Sequence, residues 1–470
     1  MSAPYNSSDT ICAVSTPAGR GGIAVVRVSG DNAFSVCRKV FKSASPLFPF
    51  GEDNAAPSVT FGYVFRGDEI IDEALATVFR SPRSYTGEDV VEISCHGSPY
   101  IQQEILSLLL SVGCRLAAAG EFTQRAFLNG KLDLSQSEAV CDLIAASSAA
   151  SHRVAMQQMR GGFKNELSVL RNSLLDFTSL IELELDFAEE DVEFADRRRL
   201  IAIAQHTSAL IRRLIDSFSA GNAIKNGIPV VIAGKTNAGK STLLNRLLNE
   251  ERAIVSDVHG TTRDAIEDVA TVHGLQFRFI DTAGIRQTRD AIEQLGVDRS
   301  FQKIEQASIV LWVIDLTDDI SETGKFAEQI ISRSAGKKLI LTLNKSDKIT
   351  VDERNRKTAY YSHFNEDYIV ISAKSDADIS ALENKLAQTA NIPQVGKNDV
   401  VVTNLRHYEA LVNALSAIER VIEGLNANVS GDFLSQDIRE CLSHLGQITG
   451  DSIDAEEVLG NIFSKFCIGK

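Results

Sequence analysis

A chain of 470 residues is too long for one compact core, and 44% hydrophobic content with only 9 prolines excludes a disordered scaffold. Its 48 basic and 62 acidic residues leave a formal net charge of −14, which excludes capture of a polyanion by overall charge; nucleic acid must be met by a local patch or through a partner. The seven cysteines (Cys12, Cys37, Cys95, Cys114, Cys141, Cys441 and Cys467) contain no CxxC pair, the pattern of reduced thiols. No apolar run reaches the roughly 18 residues a membrane span needs, and no basic-then-apolar leader opens the sequence. The expectation is a cytoplasmic protein with no membrane contact.

In chain order, residues 1–129 read as strands and turns with some helix. Ile23–Val28 and Val90–Ser94 are apolar runs, separated by turn-forming stretches such as Gly51-Glu52-Asp53-Asn54 and Ser81-Pro82-Arg83-Ser84. An α+β domain with its own core is predicted. Residues 130–226 change to long helices, where Leu167, Leu170, Leu174, Phe177 and Ile181 recur at the spacing of a packed seam. Residues 394–470 are helical again from about Leu405. Neither helical piece is complete, so one bundle interrupted by an inserted domain is expected. The insert, residues 227–393, alternates amphipathic helices with the apolar runs Val230–Ala233, Phe277–Ile280, Ile309–Asp315, Leu339–Leu343 and Tyr368–Ile371. Such runs suit a doubly wound α/β sheet buried on both faces.

The insert carries the chemistry. Gly234-Lys235-Thr236-Asn237-Ala238-Gly239-Lys240-Ser241 fits GxxxxGK followed by Ser or Thr, sits after an apolar strand and opens the helix Thr242–Leu248. Its glycines let backbone N–H groups wrap phosphates, Lys240 reaches the terminal phosphates and the Ser241 hydroxyl suits Mg²⁺. Asp281-Thr282-Ala283-Gly284 follows a strand, where a carboxylate serves the Mg²⁺ water shell and the Gly284 amide senses the last phosphate. Thr262, within Gly260-Thr261-Thr262-Arg263-Asp264, falls where a metal-contacting switch threonine belongs. Asn344-Lys345-Ser346-Asp347 decides the base: the Asp347 carboxylate accepts from guanine N1–H and its amino group, partners adenine lacks. Ser372-Ala373-Lys374 completes the base pocket. Four motifs in order, each at a strand end, read as a GTPase.

Hydrolysis needs a further group. The residue after Gly284 is Ile285, which cannot orient water, so Gln287, Asp290, Glu293 and Gln294 stay open as candidates on the residues alone. His96 beside Cys95 lacks partners at ligand spacing. Cys467-Ile468-Gly469-Lys470 has the outline of a prenylation box but fits it poorly.

Beyond these motifs the chain resembles the MnmE (TrmE) family of tRNA-modification GTPases over nearly its whole length. The resemblance is carried by Thr16-Pro17-Ala18-Gly19-Arg20-Gly21-Gly22-Ile23, Ser84-Tyr85-Thr86-Gly87-Glu88-Asp89-Val90-Val91-Glu92 and Gly120-Glu121-Phe122-Thr123. It extends through Arg125–Leu134, Asp186-Phe187 with Glu189-Glu190-Asp191, Gly260–Asp264 and Phe466–Lys470. It implies a folate-binding, dimerising N-terminal domain, a discontinuous helical domain and an inserted Ras-like G domain. It also implies a potassium ion held by Asn237 and the loop Ser256-Asp257-Val258-His259-Gly260-Thr261, with Ser256, Val258 and Thr261 as its further contacts. That ion supplies charge other GTPases take from an arginine, aided by G-domain dimerisation. Glu293 matches the water-positioning glutamate, and Arg27, Glu92, Lys131 and Lys470 match the folate positions. A cysteine matching Cys467 lies near the folate in similar proteins; its flank, Phe466 and Ile468, equally allows a buried structural cysteine.

The implied activity is addition of a carboxymethylaminomethyl-type group to C5 of the wobble uridine of certain tRNAs. The carbon comes from a 5-formyl or 5,10-methylene tetrahydrofolate, and an MnmG-type partner in a hetero-oligomer carries the FAD. Competing readings are a ribosome-assembly GTPase, whose basic RNA-binding flank is not found, a scaffold that turns over little, and a folate-dependent transferase that works without the flavoprotein.

Overall fold

The computed structural model describes residues 9–44, 57–186, 197–249, 268–280, 304–392, 400–451, 462–463 and 466–469. The chain divides into two compact units, Met1–Ala145 with Ala155–Arg212 and Glu409–Lys470, and Ala146–Val154 with Arg213–Tyr408. In chain order the elements are β1 (Ile11–Val14), β2 (Ile23–Ser29), α1 (Ala33–Val40), β3 (Phe41–Ser43), β4 (Ser58–Arg66), β5 (Glu69–Phe79) and β6 (Val90–His96). Then come α2 (Pro99–Ser111), β7 (Arg115–Leu116), α3 (Glu121–Leu128), α4 (Leu134–Ala145), α5 (Ala149–Met159), α6 (Gly162–Asp186) and α7 (Arg197–Asn226). The insert supplies β8 (Ile228–Ala233), α8 (Lys240–Asn249), β9 (Asp268–Val272), β10 (Leu275–Phe279), β11 (Ile309–Asp315), α9 (Ile320–Arg333) and β12 (Lys338–Asn344). The chain continues with α10 (Val351–Ser362), β13 (Tyr368–Val370), α11 (Asp376–Ala390), α12 (Leu405–Asn426) and α13 (Gly431–Thr449).

In the first unit the sheet runs β3-β4-β5-β6-β2-β1-β7, antiparallel except for the parallel pair β1–β7. Period-two alternation sorts its faces. Ala24, Val26 and Val28 of β2, with Val91 and Ile93 of β6, pack under Val36 and Val40 of α1 and Ile105 and Leu109 of α2. The intervening positions, Arg27 and Glu92, are register partners on the opposite face. The seam predicted for α6 is buried: Leu167, Leu170, Leu174, Phe177 and Ile181 are each at most 2% exposed. Helix α13, far along the chain, packs on α6 and α4, which makes the helical bundle discontinuous.

In the second unit the sheet order is β13-β12-β11-β8-β10-β9, parallel but for the edge strand β9. Every residue of β11 is buried. Ile309, Leu311 and Val313 meet α8 and α11 on one face, while Val310, Trp312 and Ile314 meet α9 and α10 on the other. Helices on both faces are why the run has no polar alternation. The apolar-run reading locates β11 to the residue, and β8, β10, β12 and β13 within two residues of each end. It misses β9, whose Asp268-Val269-Ala270-Thr271-Val272 alternates as a half-exposed edge does.

The chain leaves this unit beside where it joined. The Val402 N–H donates to Ser217 Oγ at 3.0 Å, and the Phe218 and Tyr408 rings stack at 4.5 Å. Gly221 is required there, since a β-carbon would stand 2.2 Å from the Val402 carbonyl oxygen. Adjacent ends are the condition for inserting a folded unit into another segment.

Candidate functional site: a phosphate loop and a base pocket on one sheet edge

Because β8, β11, β12 and β13 are parallel, their C-terminal ends share one edge of the sheet. Gly234 follows β8, Asp315 ends β11, Asn344 ends β12 and Ser372 lies just past β13. Ligands of open α/β sheets collect at such an edge.

The loop from Gly234 to Gly239 turns sharply, with φ of +149° at Gly234, +63° at Asn237 and +98° at Gly239. A side chain at Gly234 would run into the Val313 carbonyl oxygen at 2.3 Å. Lys240 opens α8 and folds back across the loop, donating from Nζ to the Gly234 and Lys235 carbonyls, both at 2.7 Å. Burial pushes its pKa down to about 8, so an anion set against it would be drawn in to hold the charge. Ser241 and Thr242 follow in the first turn of α8. An N-terminal helix turn, a glycine-bent backbone and a lysine form a phosphate cradle, and the Ser241 hydroxyl is the hard oxygen donor that Mg²⁺ prefers.

A buried side chain joins the base pocket to this loop. Asn344, 1% exposed, donates from Nδ2 to the Ala238 carbonyl at 2.8 Å and accepts the Ala373 N–H at Oδ1 at 3.0 Å. It thereby binds the phosphate loop to Ser372-Ala373-Lys374. Asp347 is exposed, and its Oδ1 accepts the Ser372 hydroxyl at 2.8 Å. That bond, with Lys374 and Lys348 nearby, holds its carboxyl below the usual range. An ionised, oriented carboxylate accepts from two adjacent N–H groups, which is what guanine presents. Ser372 is set in turn by its own N–H to Asp378 Oδ2 at 2.7 Å.

The motif reading passes over Asp315, although it obeys the same rule as Asn344, a polar residue ending an apolar strand. Lys345 is ion-paired with Asp315 Oδ2. Asp315 Oδ1 accepts both the N–H and the hydroxyl of Thr317, at 2.8 and 2.7 Å.

Ser256, Asp257, Val258, His259, Gly260, Thr261, Thr262, Asp281, Thr282, Ala283, Gly284, Glu293 and Lys470 lie outside the described residues. Of the residues expected to hold potassium, Asn237 is therefore the one placed, within the loop, carrying an amide oxygen suited to an alkali ion.

A second cluster occupies the first unit. Arg27 Nε donates to Glu92 Oε1 at 2.8 Å across the β2–β6 ladder, with side chains 14% and 26% exposed. The guanidinium lies 5.2 Å from the Tyr85 ring centroid and 5.5 Å from that of Phe122. Two sequence-distant motifs meet here through buried Arg125, which binds Glu88 at 3.1 Å and Glu121 at 3.0 Å. Asn129 Nδ2 donates to the Thr86 carbonyl at 2.8 Å, and Tyr85 shares a 2.8 Å hydrogen bond with Thr123. Lys131 Nζ rests on the Pro82 carbonyl at 2.9 Å. A flat ring system with charged substituents fits a half-buried ion pair bordered by aromatic rings. Tyr85, Phe122 and Arg125 enter the sequence reading as members of the resemblance motifs and not as site residues, because nothing local tells a side chain beside a site from one in the core.

The C-terminal tail is pinned to the same unit. Ile468 bridges Ala119, the Gly120 N–H donates to the Cys467 carbonyl at 3.3 Å, and Ser15 Oγ donates to the Gly469 carbonyl at 3.0 Å. Cys467 is exposed, while Phe466 beside it is 8% exposed and packs on Leu134 and Phe463, so the buried structural alternative is overturned. His96 is engaged by Asp72, at 2.6 Å through Nδ1.

Comparison with known proteins gives the family. Residues 10–131 match the GTP-binding protein TrmE N-terminus and residues 134–467 the MnmE helical domain. The tRNA modification GTPase MnmE of Bacteroides fragilis is 56% identical over 467 residues, covering 99% of this chain and 100% of that one. The protein of the same name from Bacteroides thetaiotaomicron is 55% identical with the same coverage, and that from Flavobacterium johnsoniae is 50% identical over 470 residues, covering 99% and 100%.

Proposed function

The chain belongs to the MnmE family of tRNA modification GTPases, and from that premise we propose a specific reaction and division of labour for it. It hydrolyses GTP in tRNA modification. The group added is of the carboxymethylaminomethyl type, the acceptor is C5 of the wobble uridine of certain tRNAs, and a tetrahydrofolate derivative supplies one carbon. An MnmG-type partner carries the FAD within a hetero-oligomer. Residues 1–129 bind folate and dimerise, 130–226 and 394–470 make the helical domain, and 227–393 are the G domain.

The observation that carries the nucleotide part is the Asn344 side chain, which ties the phosphate loop at Ala238 to the base pocket at Ala373. Mg²⁺ belongs at Ser241 with Thr262, and potassium at Asn237 with Ser256, Val258 and Thr261. Bound there, the two cations offset charge that builds on the transferring phosphate. Glu293 orients the attacking water. Folate belongs against Arg27, Glu92, Lys131 and Lys470, with Cys467 on the adjoining tail. In support of a homodimer, β4 and β5 expose Val59, Phe61 and Leu75 on the sheet face that also carries Glu92.

GTP turnover measured in potassium and in sodium tests the cation assignment. The expected result is fast hydrolysis in potassium alone; equal, low rates overturn it. Glu293→Ala should keep nucleotide affinity while nearly abolishing turnover, and normal turnover with weakened binding overturns that role. Reconstitution with the flavoprotein, folate, GTP and unmodified tRNA tests the rest. Modification that proceeds without the flavoprotein overturns the division of labour.

A further inference from the structure

The base pocket contains a component at the end of β11 that motif reading does not assign. We infer that Asp315 is a positioning residue for nucleotide binding, acting through Lys345; this rests on the guanine-pocket reading above. Lys345 carries a flexible side chain, and an unheld lysine beside a ligand must be ordered each time the ligand binds. Its backbone is already fixed, at φ +64°, by the short turn Ser346–Lys348 that it caps. Asp315 fixes the other end, since its Oδ2 holds the ammonium.

The carboxylate is itself aimed. It is 6% exposed, and both Thr317 donors occupy Oδ1, which leaves Oδ2 directed at Lys345. Burial opposes its ionisation, and Lys345 together with the Thr317 bonds outweighs that, so its pKa stays below the usual carboxylate range. The loop behind it is braced. Lys357 Nζ donates to the Leu316 and Asp318 carbonyls at 2.7 and 2.8 Å, and the Leu316 N–H donates to the Asn344 carbonyl at 3.0 Å. Asp315 and Asn344 are register partners on β11 and β12. One ladder rung therefore anchors the side chain that joins the phosphate loop to the base pocket and the carboxylate that holds the next residue along.

The test compares Asp315→Asn with wild type in the full chain. The amide keeps an acceptor for Thr317 but removes the charge from Lys345. The expected result is a rise of about tenfold in the KM for GTP and faster GDP release, with kcat within about twofold. The nucleotide-free protein should stay folded and melt only a few degrees below wild type, the cost of the lost pair between Lys345 and the buried carboxylate. Adding Lys345→Met to Asp315→Asn should cost no more than Lys345→Met alone, because both break one interaction. An unchanged KM, or a loss of melting temperature with KM unaffected, overturns the inference. If Asp315→Asn does not fold, Thr317→Val carries the test with an expected rise of about threefold in KM, and no rise overturns it. Asp347→Asn separates the two levels: it should shift preference from GTP to xanthosine triphosphate, whose carbonyl at C2 accepts from an amide. If that switch fails, the guanine reading falls; if it succeeds while Asp315→Asn leaves KM unchanged, only the Asp315 assignment falls.

Discussion

Gly239 sits so close to Asn344 that a β-carbon on it would stand 2.2 Å from the asparagine's side-chain nitrogen. The bond between the phosphate loop and the base pocket therefore depends on a hydrogen at that position, reinforced by the left-handed φ of +98°. Gly239→Ala should abolish measurable nucleotide binding while the first unit stays folded. Asn344→Ala leaves the buried Ala373 N–H without its acceptor, a cost of about 1–3 kcal/mol. Nucleotide titration and thermal melting read the two effects separately.

Lys240 predicts a pH effect on binding. In the free protein burial lets it lose its proton as pH rises through about 8. Phosphate oxygens favour the charged form, so binding above that pH takes up a proton and affinity falls as pH climbs, by up to about tenfold per unit. Calorimetry in two buffers of different ionisation enthalpy should show the uptake. In Lys240→Arg the pH slope should vanish.

The buried Arg125–Glu121 pair predicts acid sensitivity in the first unit. Burial works against ionisation of Glu121, but Arg115, the Ala118 N–H and Arg125 outweigh it and hold the carboxyl below its usual range. A depressed carboxylate contributes stability that is present above its unfolded pKa and lost as pH falls through the lower folded value. Glu121→Ala, which takes from buried Arg125 one of its two carboxylate partners and leaves it Glu88, should cost about 1.5–3 kcal/mol at neutral pH by denaturant unfolding. Glu121→Gln should flatten the loss of stability on acidification.

The open face of β4 and β5 predicts the assembly. Phe61 and Leu75 are register partners, 45% and 44% exposed. A charge there is tolerated in a monomer and disrupts packing against a second copy. Phe61→Glu should convert the proposed homodimer to a monomer in sedimentation without lowering the melting temperature of the monomer. An unchanged sedimentation coefficient overturns the proposed contact.

The described parts of the candidate nucleotide site are legible in the sequence because each part is local. A strand followed by glycines and a lysine, or a strand ending in Asn-Lys-Ser-Asp, is complete within a few residues, and parallel strands bring such ends to one edge. The long buried strands were readable for a similar reason: helices on both faces demand unbroken apolar runs, as in Ile309–Asp315. The half-exposed β9 carried no such demand and was missed.

Sequence by itself determined which residues could wrap phosphate, which carboxylate could read guanine, and that a helical segment is interrupted by an α/β insert. Only the tertiary structure decided which charges are partnered. Arg27 with Glu92, Asp315 with Lys345 and Arg125 with Glu88 are separated by 65, 30 and 37 positions. No local pattern encodes such pairs, because strand register and helix docking choose them. Their physical worth, moreover, comes from burial that exists only once the chain has closed around them.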